Sequence, residues 1–303
     1  MEHSSGVLEE WEMSMLFQLS GRILCLLAMT LWAISKVPSQ AGSPHKDAVH
    51  PADYRLVWAD EFHKPGPPDP ANWTYETGFV RNNELQWYQP DNATCREGLL
   101  IIEGRREQKP NPEYSAESFF WKRSRKHAEY TSASLTTQGL HSWQYGRFEM
   151  RGRIDTRLGL WPAFWTLGVK GRWPENGEID ILEYYRGMLL ANVAWGTRVQ
   201  YKPNWDSVRK PLSELGDAGW AQQFHVWRMD WDQDNINLYV DGQLLNATEL
   251  ANTVNEGADK RNPFRQPHYI LLNLAIGGTN GGDPSGTQFP ARLEVDYVRV
   301  YQK

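Results

Sequence analysis

Ile236-Asn237-Leu238-Tyr239-Val240, followed at once by Asp241-Gly242, is the stretch that decides the fold. Apolar and polar side chains alternate over its first five positions, which predicts a half-buried strand, and Asp-Gly is a strong signal for a two-residue hairpin turn. Comparable short runs occur at residues 98–103, 146–151 and 295–301, whereas helical periodicity is scarce and is best at 212–224. Many short strands separated by turns predict an all-β antiparallel sandwich or barrel.

The composition indicates a globular chain. Of its 303 residues, 40% are hydrophobic and 23% are charged, and 15 are tryptophans, so a sizeable core can form. The formal net charge of −5, with no basic run and no glycine-rich phosphate loop, gives no reason to expect nucleic acid or an anionic membrane as a partner. No linker, repeat or low-complexity tract interrupts the chain after residue 60. We therefore expect one domain, and a monomer.

The N-terminal segment has the pattern of an export signal. Arg22 precedes an apolar run over residues 23–34, and Ser39-Gln40-Ala41 resembles the small-x-small pattern before a cleavage site. The run is about 12 residues long, and a membrane span needs about 20. The sequence thus predicts a signal peptide over residues 1–41 and a mature domain over 42–303. That protein would be secreted or periplasmic, without stable membrane association after cleavage; a membrane anchor is the alternative.

Two other features have modest interpretations. Residues 42–303 contain one cysteine, Cys95, so no disulfide can form within them and the thiol is expected to be buried or idle. Residues 108–126 are polar and contain two prolines and a basic cluster. This stretch predicts a long surface loop that could form a rim of a binding face.

Glu178-Ile179-Asp180-Ile181-Leu182-Glu183 is the motif that carries chemistry. Side chains alternate faces along a strand, so Glu178 and Asp180 point the same way and Glu183 would point the other way. One extra residue, a β-bulge within Ile181-Leu182, returns Glu183 to the face of the other two. The motif therefore predicts three carboxyl groups on one face of a bulged strand.

Clustered carboxylates repel each other, so the cluster favours a functional site over a structural one. Acids exposed on an edge strand would have polar neighbours, but these are interleaved with apolar residues. Retaining glycoside hydrolysis needs two carboxyl groups about 5–5.5 Å apart, which Glu178 and Glu183 can supply while Asp180 tunes their pKa values. A Ca²⁺ site is the alternative, although a bulged strand supplies few converging carbonyl groups.

Tryptophans flank this motif. Trp161 and Trp165 share one strand face with the small Ala163 between them, and Trp173 precedes Glu178 by five positions. Indole rings stack on the apolar faces of sugar rings. Thirteen of the 15 tryptophans lie in residues 42–303, more than a sandwich core usually holds. Some of them are therefore expected to face a groove.

These residues resemble glycoside hydrolase family 16. The acidic motif matches the Glu-x-Asp-x-x-Glu signature of the family in its bulged, laminarinase-like form. Eight further motifs precede or follow it in the family's order, and one of them contains the tryptophan pair. They lie at residues 58–62, 82–86, 130–133, 145–149, 161–165, 224–227, 272–278 and 295–301.

The resemblance implies a fold and a catalytic apparatus. The fold would be a concanavalin-like jelly roll of two curved antiparallel sheets, with an open cleft on the concave side. By matching positions, Glu178 would be the nucleophile, Asp180 its helper and Glu183 the acid/base. Catalysis would require no cofactor.

The resemblance also implies binding residues. Asn83, Trp161 and Trp165 match positions that line the glycone subsites. Asp296 matches a position that binds a structural Ca²⁺ in several members.

One departure concerns the strand after the catalytic one. Laminarinase-like members usually carry a histidine there, whereas residues 190–197 offer Asn192 and Trp195. We take these two, with Trp173, as further candidates for substrate binding. The resulting prediction is a retaining endo-glycosidase acting on a polysaccharide, with β-1,3-glucan as the substrate. Mixed-linkage glucan, a galactan, and a non-catalytic carbohydrate-binding protein are the alternatives.

Overall fold

The computed structural model describes residues 53–257 and 260–303. The predicted signal peptide and its boundary at residue 41 lie outside the described residues. None of the helices in the described ranges is long and apolar enough to cross a membrane.

Nineteen strands are present in the described residues. In chain order they are β1 Arg55–Asp60, β2 Thr74–Glu76, β3 Gln86–Tyr88, β4 Ala93–Arg96, β5 Leu99–Gly104, β6 Lys109–Pro110, β7 His127–Ala128, β8 Tyr130–Ser132, β9 Ser134–Thr136, β10 Gly146–Ile154, β11 Leu160–Gly168, β12 Glu178–Tyr185, β13 Met188–Gly196, β14 Pro203–Pro211, β15 His225–Trp231, β16 Asn235–Val240, β17 Gln243–Glu249, β18 His268–Ile276 and β19 Ala291–Gln302. The helices are short: α1 Trp121–Ser124 and α2 Gly278–Gly281, with 3-10 turns at Pro90–Asn92, Leu212–Glu214, Trp220–Gln222 and Leu250–Asn252.

Two antiparallel sheets contain most of these strands. The eight-stranded sheet has the order β17-β16-β15-β10-β19-β5-β4, with β1 also paired to β19. The seven-stranded sheet has the order β14-β13-β12-β11-β18-β9-β2. Strand neighbours within both sheets run antiparallel. The predicted all-β antiparallel sandwich is confirmed.

The hydrophobic core lies between the two sheets. Phe148 and Trp227 come from the eight-stranded sheet, Phe164 and Leu272 come from the seven-stranded one, and all four are fully buried in a single cluster. Burying one such side chain contributes about 1.5–3 kcal/mol. Strand β15 alternates buried and half-buried residues along its whole length, as expected for a strand with one face on the core.

The hairpin predicted from Asp241-Gly242 is confirmed. Val240 pairs with Gln243, and both turn residues have positive φ angles, 47° and 82°. This conformation matches the twist of the flanking strands, and glycine adopts it without a steric penalty. The Asp241 carboxylate also accepts a hydrogen bond from the Val226 backbone at 2.8 Å, which anchors the turn to β15.

The remaining local predictions hold in outline. The helical turns expected at 212–224 are the two 3-10 turns found there, and the loop at 108–126 contains only β6 and α1 as regular structure. Cys95 is buried, as predicted, and burial raises the pKa of its thiol to about 11. Cys95 is therefore protonated at neutral pH and unsuited to act as a nucleophile.

Candidate active site

A β-bulge in β12 places the three acids on one face. Asp180 pairs with Trp165, but Leu182 pairs with the adjacent Phe164, so Ile181 is the extra residue. The pairing with β13 shifts over the same interval. Ile181 and Leu182 both enter the core cluster, and the strand then resumes with Glu183 on the face of Asp180. The bulge predicted within these two residues is confirmed.

Tryptophan side chains hold both glutamates. The Nε1 of Trp173, in the turn before β12, donates a hydrogen bond to Glu178 Oε2 at 2.7 Å. The Nε1 of Trp161, on β11, donates to Glu183 Oε1 at 2.7 Å. One oxygen of each carboxyl group is therefore fixed by a hydrogen bond from an indole. One indole belongs to a strand and the other to a turn. Such support limits the reorganisation of a reacting group.

Asn192 connects the other two acids. Its Nδ2 donates to Asp180 Oδ2 and to Glu183 Oε2, both at 3.0 Å, and Asp180 also lies in hydrogen-bonding contact with Glu178. Asn192 reaches them because it pairs directly with Asp180 across β12 and β13. The three carboxyl groups thus form one connected network.

The electrostatics of this network favour protonated carboxyl groups. Burial is the main cause that raises the pKa of Glu178 and Glu183 well above the ordinary range, and the negative charge of Asp180 adds to both shifts. Burial also raises the pKa of Asp180 to about 7, against the hydrogen bond from Asn192. Neighbouring carboxyl groups with raised pKa values share protons near neutral pH, which suits one group to donate a proton while another stays charged.

Replacing Asp180 by asparagine is expected to stabilise the fold above neutral pH. A carboxyl group with a raised pKa in the folded state costs stability once it ionises, so the cost begins near its ordinary pKa of 3.8 and is complete above about 7. We expect a gain on the order of 2–4 kcal/mol at pH 8 and little gain at pH 4. Thermal unfolding of both proteins at the two pH values tests this, and an equal gain at both would contradict it.

Asn192 offers a second test through the pH profile. Removing its amide in Asn192→Ala takes a hydrogen bond from the ionised forms of Asp180 and Glu183, so their pKa values should rise. We expect the acidic limb of kcat/KM to move to higher pH, with a loss of about 10–100-fold at the optimum. The control is Asn246→Ala, which removes a buried amide that binds only backbone carbonyl groups. A shift of the limb in the control as well would contradict this role.

The tryptophan pair lies on the cleft face but offers little free surface. Trp165 pairs with Asp180 and Ala163 pairs with Glu183, so the predicted shared face is confirmed. Trp161 and Trp165 are nevertheless both buried. The guanidinium of Arg81 covers the Trp165 ring at 5.0 Å from its centroid. These indoles therefore form the floor and wall of the cleft rather than open platforms.

Four residues of the cleft escaped the sequence analysis. Arg81, Asn82 and Glu84 come from the segment before β3, and Asn273 comes from β18. Arg81 forms an ion pair with Glu76, and its charge lowers the raised pKa of Glu178. The available signal for Asn82 and Glu84 was the motif at residues 82–86, in which three polar residues come shortly before a strand. A single sequence, however, does not show which distant segment reaches β12.

Two predicted binding residues lie elsewhere. Asn83 is exposed beside the cleft, and its backbone carbonyl accepts a hydrogen bond from Arg125, whereas the neighbouring Asn82 lines the cleft. The placement of Trp195 in the cleft is wrong. Asn192 and Ala194 face the acids, so Trp195 points to the other side of β13 and packs against the core. The prediction failed because the sequence alone did not show which side chains of β13 are turned toward the acids.

Asp296 forms an ion pair between β10 and β19. Its carboxylate accepts a hydrogen bond from Arg151 Nη1 at 2.6 Å in an ion pair. Within the described ranges, no three histidine, cysteine, aspartate or glutamate side chains are grouped so that they could hold a metal ion. Ca²⁺ also takes backbone carbonyl oxygens, which such a grouping of side chains does not include. The calcium site that the resemblance implied therefore stays a prediction.

A two-sheet sandwich with paired, tryptophan-held carboxyl groups in a surface cleft defines the class of carbohydrate-cleaving enzymes. Comparison with known proteins agrees with this class. The family described as "Glycosyl hydrolases family 16" matches residues 111–299. The chain therefore belongs to glycoside hydrolase family 16 and is a glycoside hydrolase.

Individual relatives cover most of the chain. A β-glucanase of Rhodothermus marinus is 37% identical over 87% of this chain and 90% of its own length. The laminarinase catalytic domain of Thermotoga maritima is 32% identical, with a TM-score of 0.68 over 83% of this chain and 99% of that one. A structure from work on endo-acting O-glycanases of the human gut microbiota is 33% identical, with a TM-score of 0.75 over 84% and 92%. The chain is thus laminarinase-like within its family.

Proposed function

We propose that this protein is an exported, retaining endo-β-glucanase that cleaves β-1,3 linkages inside a glucan chain. Glu178 attacks the anomeric carbon while Glu183 protonates the departing glycosidic oxygen. Glu183 then removes a proton from water, and that water releases the sugar from Glu178 with net retention. Asp180 holds a proton or a hydrogen bond beside Glu178 and so adjusts its charge.

One observation carries the proposal. The Ile181 bulge brings Glu178 and Glu183 to the same face, and each is fixed by an indole hydrogen bond at 2.7 Å. A binding module has no need for two half-buried carboxyl groups with raised pKa values, because their ionisation costs stability. A retaining glycosidase needs both, one charged and one protonated.

The identity of the polysaccharide is the more specific part of the proposal. β-Glucan is supported by the relatives named β-glucanase and laminarinase. A second candidate is a galactose-containing glycan, which is supported by a keratan-sulfate endo-1,4-β-galactosidase of Sphingobacterium multivorum that is 25% identical over 89% of this chain. Export is supported by the signal-like pattern of residues 1–41.

Product release from a polysaccharide panel tests the proposal. Laminarin, mixed-linkage glucan, agarose, carrageenan and porphyran would each be incubated with the wild type and with Glu178→Gln. Laminarin oligosaccharides from the wild type alone are the expected result. Release from a galactan alone would keep the mechanism and replace the substrate. No release from any polymer, with retained binding to one, would contradict the proposal in favour of a carbohydrate-binding protein.

A further inference from the structure

The edge strand β14 presents three side chains on the cleft face. Ala194, which pairs with Glu178, pairs on its other side with Trp205, and Asn192, which pairs with Asp180, pairs with Ser207. Directly paired residues of an antiparallel sheet share a face. By the same rule Arg209, two residues beyond Ser207, also lies on the side of the acids.

This surface lies on the opposite side of β12 from Trp161 and Trp165. Strands in a sheet are about 4.8 Å apart, so β14 is about 10 Å from the strand of the acids. An endo-acting enzyme must hold the chain on both sides of the bond that it cleaves. The β11 side has the buried tryptophans and Arg81, whereas no residue of β14 itself has been given a role in binding.

The surface has the chemistry of a sugar platform. Trp205 is 44% exposed, in contrast to the buried Trp161 and Trp165, so its indole is available for stacking. Within the described part of the chain, the Arg209 guanidinium makes no hydrogen bond or ion pair, and its charge lowers the raised pKa of Glu183. A single exposed apolar residue needs no explanation. The exposed indole of Trp205, however, shares a strand face with the Ser207 hydroxyl and the Arg209 guanidinium, and this face is in register with the acids. The grouping indicates a binding surface.

We propose that Trp205, Ser207 and Arg209 form a second sugar-binding surface, which extends the cleft beyond the carboxyl groups and stacks a neutral pyranose of the polymer on Trp205. The proposal rests on the proposed function, because the sugar unit belongs to the chain that Glu178 and Glu183 cleave. A neutral pyranose is the unit of the glucan that the proposed function names as substrate, and its apolar face can stack on an indole.

Trp205→Ala tests this surface, with Trp205→Phe as the conservative variant and Asn204→Ala as the matched control. Asn204 directly precedes Trp205 on β14. Its side chain points to the other face of the sheet and donates a hydrogen bond to Glu256. We expect KM for the cleaved polymer to rise about tenfold in Trp205→Ala with kcat nearly unchanged, and to rise less in Trp205→Phe. Asn204→Ala should match the wild type. An unchanged KM in Trp205→Ala would overturn the inference while the proposed function stands.

Electrophoresis in gels that contain laminarin or carrageenan separates the two proposals. Both Glu178→Gln and Glu178→Gln/Trp205→Ala would be run, because neither can degrade the gel polymer. Laminarin should retard the first protein more strongly than the second, and this result supports the binding surface even if the wild type cleaves no polymer. Equal retardation of the two, or no retardation of either, would overturn the surface. A difference seen only with carrageenan would overturn the neutral-sugar assignment.

Discussion

Glu178→Gln is expected to lower kcat/KM by about 10⁴-fold or more while leaving the fold and polymer binding in place. The substitution keeps the size of the side chain and an oxygen for the Trp173 hydrogen bond, but an amide cannot form the glycosyl-enzyme. The raised pKa of Glu178 also means that its ionisation costs stability. The variant should therefore unfold at a higher temperature than the wild type at neutral pH.

The matched control for this prediction is Glu175→Gln. Glu175 lies in the same turn, three residues before Glu178, and its side chain is exposed. Its replacement should leave kcat/KM and the unfolding temperature close to those of the wild type. Rates on the polymer that the wild type cleaves, with thermal unfolding of all three proteins, would check both parts. Glu178→Gln with more than a tenth of wild-type activity would exclude Glu178 as the nucleophile.

Deletion of both Ile181 and Leu182 is the second change with a large expected effect. Without these two residues Glu183 would directly follow Asp180, and because side chains alternate faces along a strand, Glu183 would turn from the cleft toward the core. A carboxyl group facing the core would cost several kcal/mol, and the acid and nucleophile would no longer share a face. We expect loss of activity below detection and a much lower unfolding temperature.

Ile181→Ala separates the effect of the register from that of packing. This variant keeps the bulge but loses part of a fully buried side chain, which costs about 2–5 kcal/mol. Below its unfolding temperature it should retain kcat/KM within about tenfold of the wild type. If the double-deletion variant were as active as Ile181→Ala, the alternation of side chains along β12 would not be what positions Glu183.

The sequence predicted the catalytic strand well because its signals are local. The period of two along residues 178–183 showed that Glu183 could face the other acids only through a bulge, and the pairing with β11 contains that bulge. Asp241-Gly242 predicted its hairpin for the same reason, since the backbone conformation of the turn depends on two adjacent residues.

The parts of the cleft that come from distant segments were not predictable in the same way. Glu84 and Asn273 lie near the acids only because the chain folds distant segments together. Which side chains of β13 face the acids depends on its register with the bulged strand β12. One side of that strand carries Asn192 and the other carries Trp195, and a single sequence did not distinguish them. The ion pair of Asp296 with Arg151 joins β10 and β19, 145 positions apart, and a single sequence does not show it.

The most direct test of the account is the configuration of the first product, followed by proton NMR of the anomeric signals during cleavage. The wild type would act on the polymer that it cleaves best, at an enzyme concentration at which hydrolysis is faster than mutarotation. If Glu178 forms a glycosyl-enzyme and Glu183 activates the water, the β-anomer of the new reducing end appears first and the α-anomer follows by mutarotation. Initial appearance of the α-anomer would contradict the account, because water would then have attacked the sugar directly and Glu178 could not be the nucleophile.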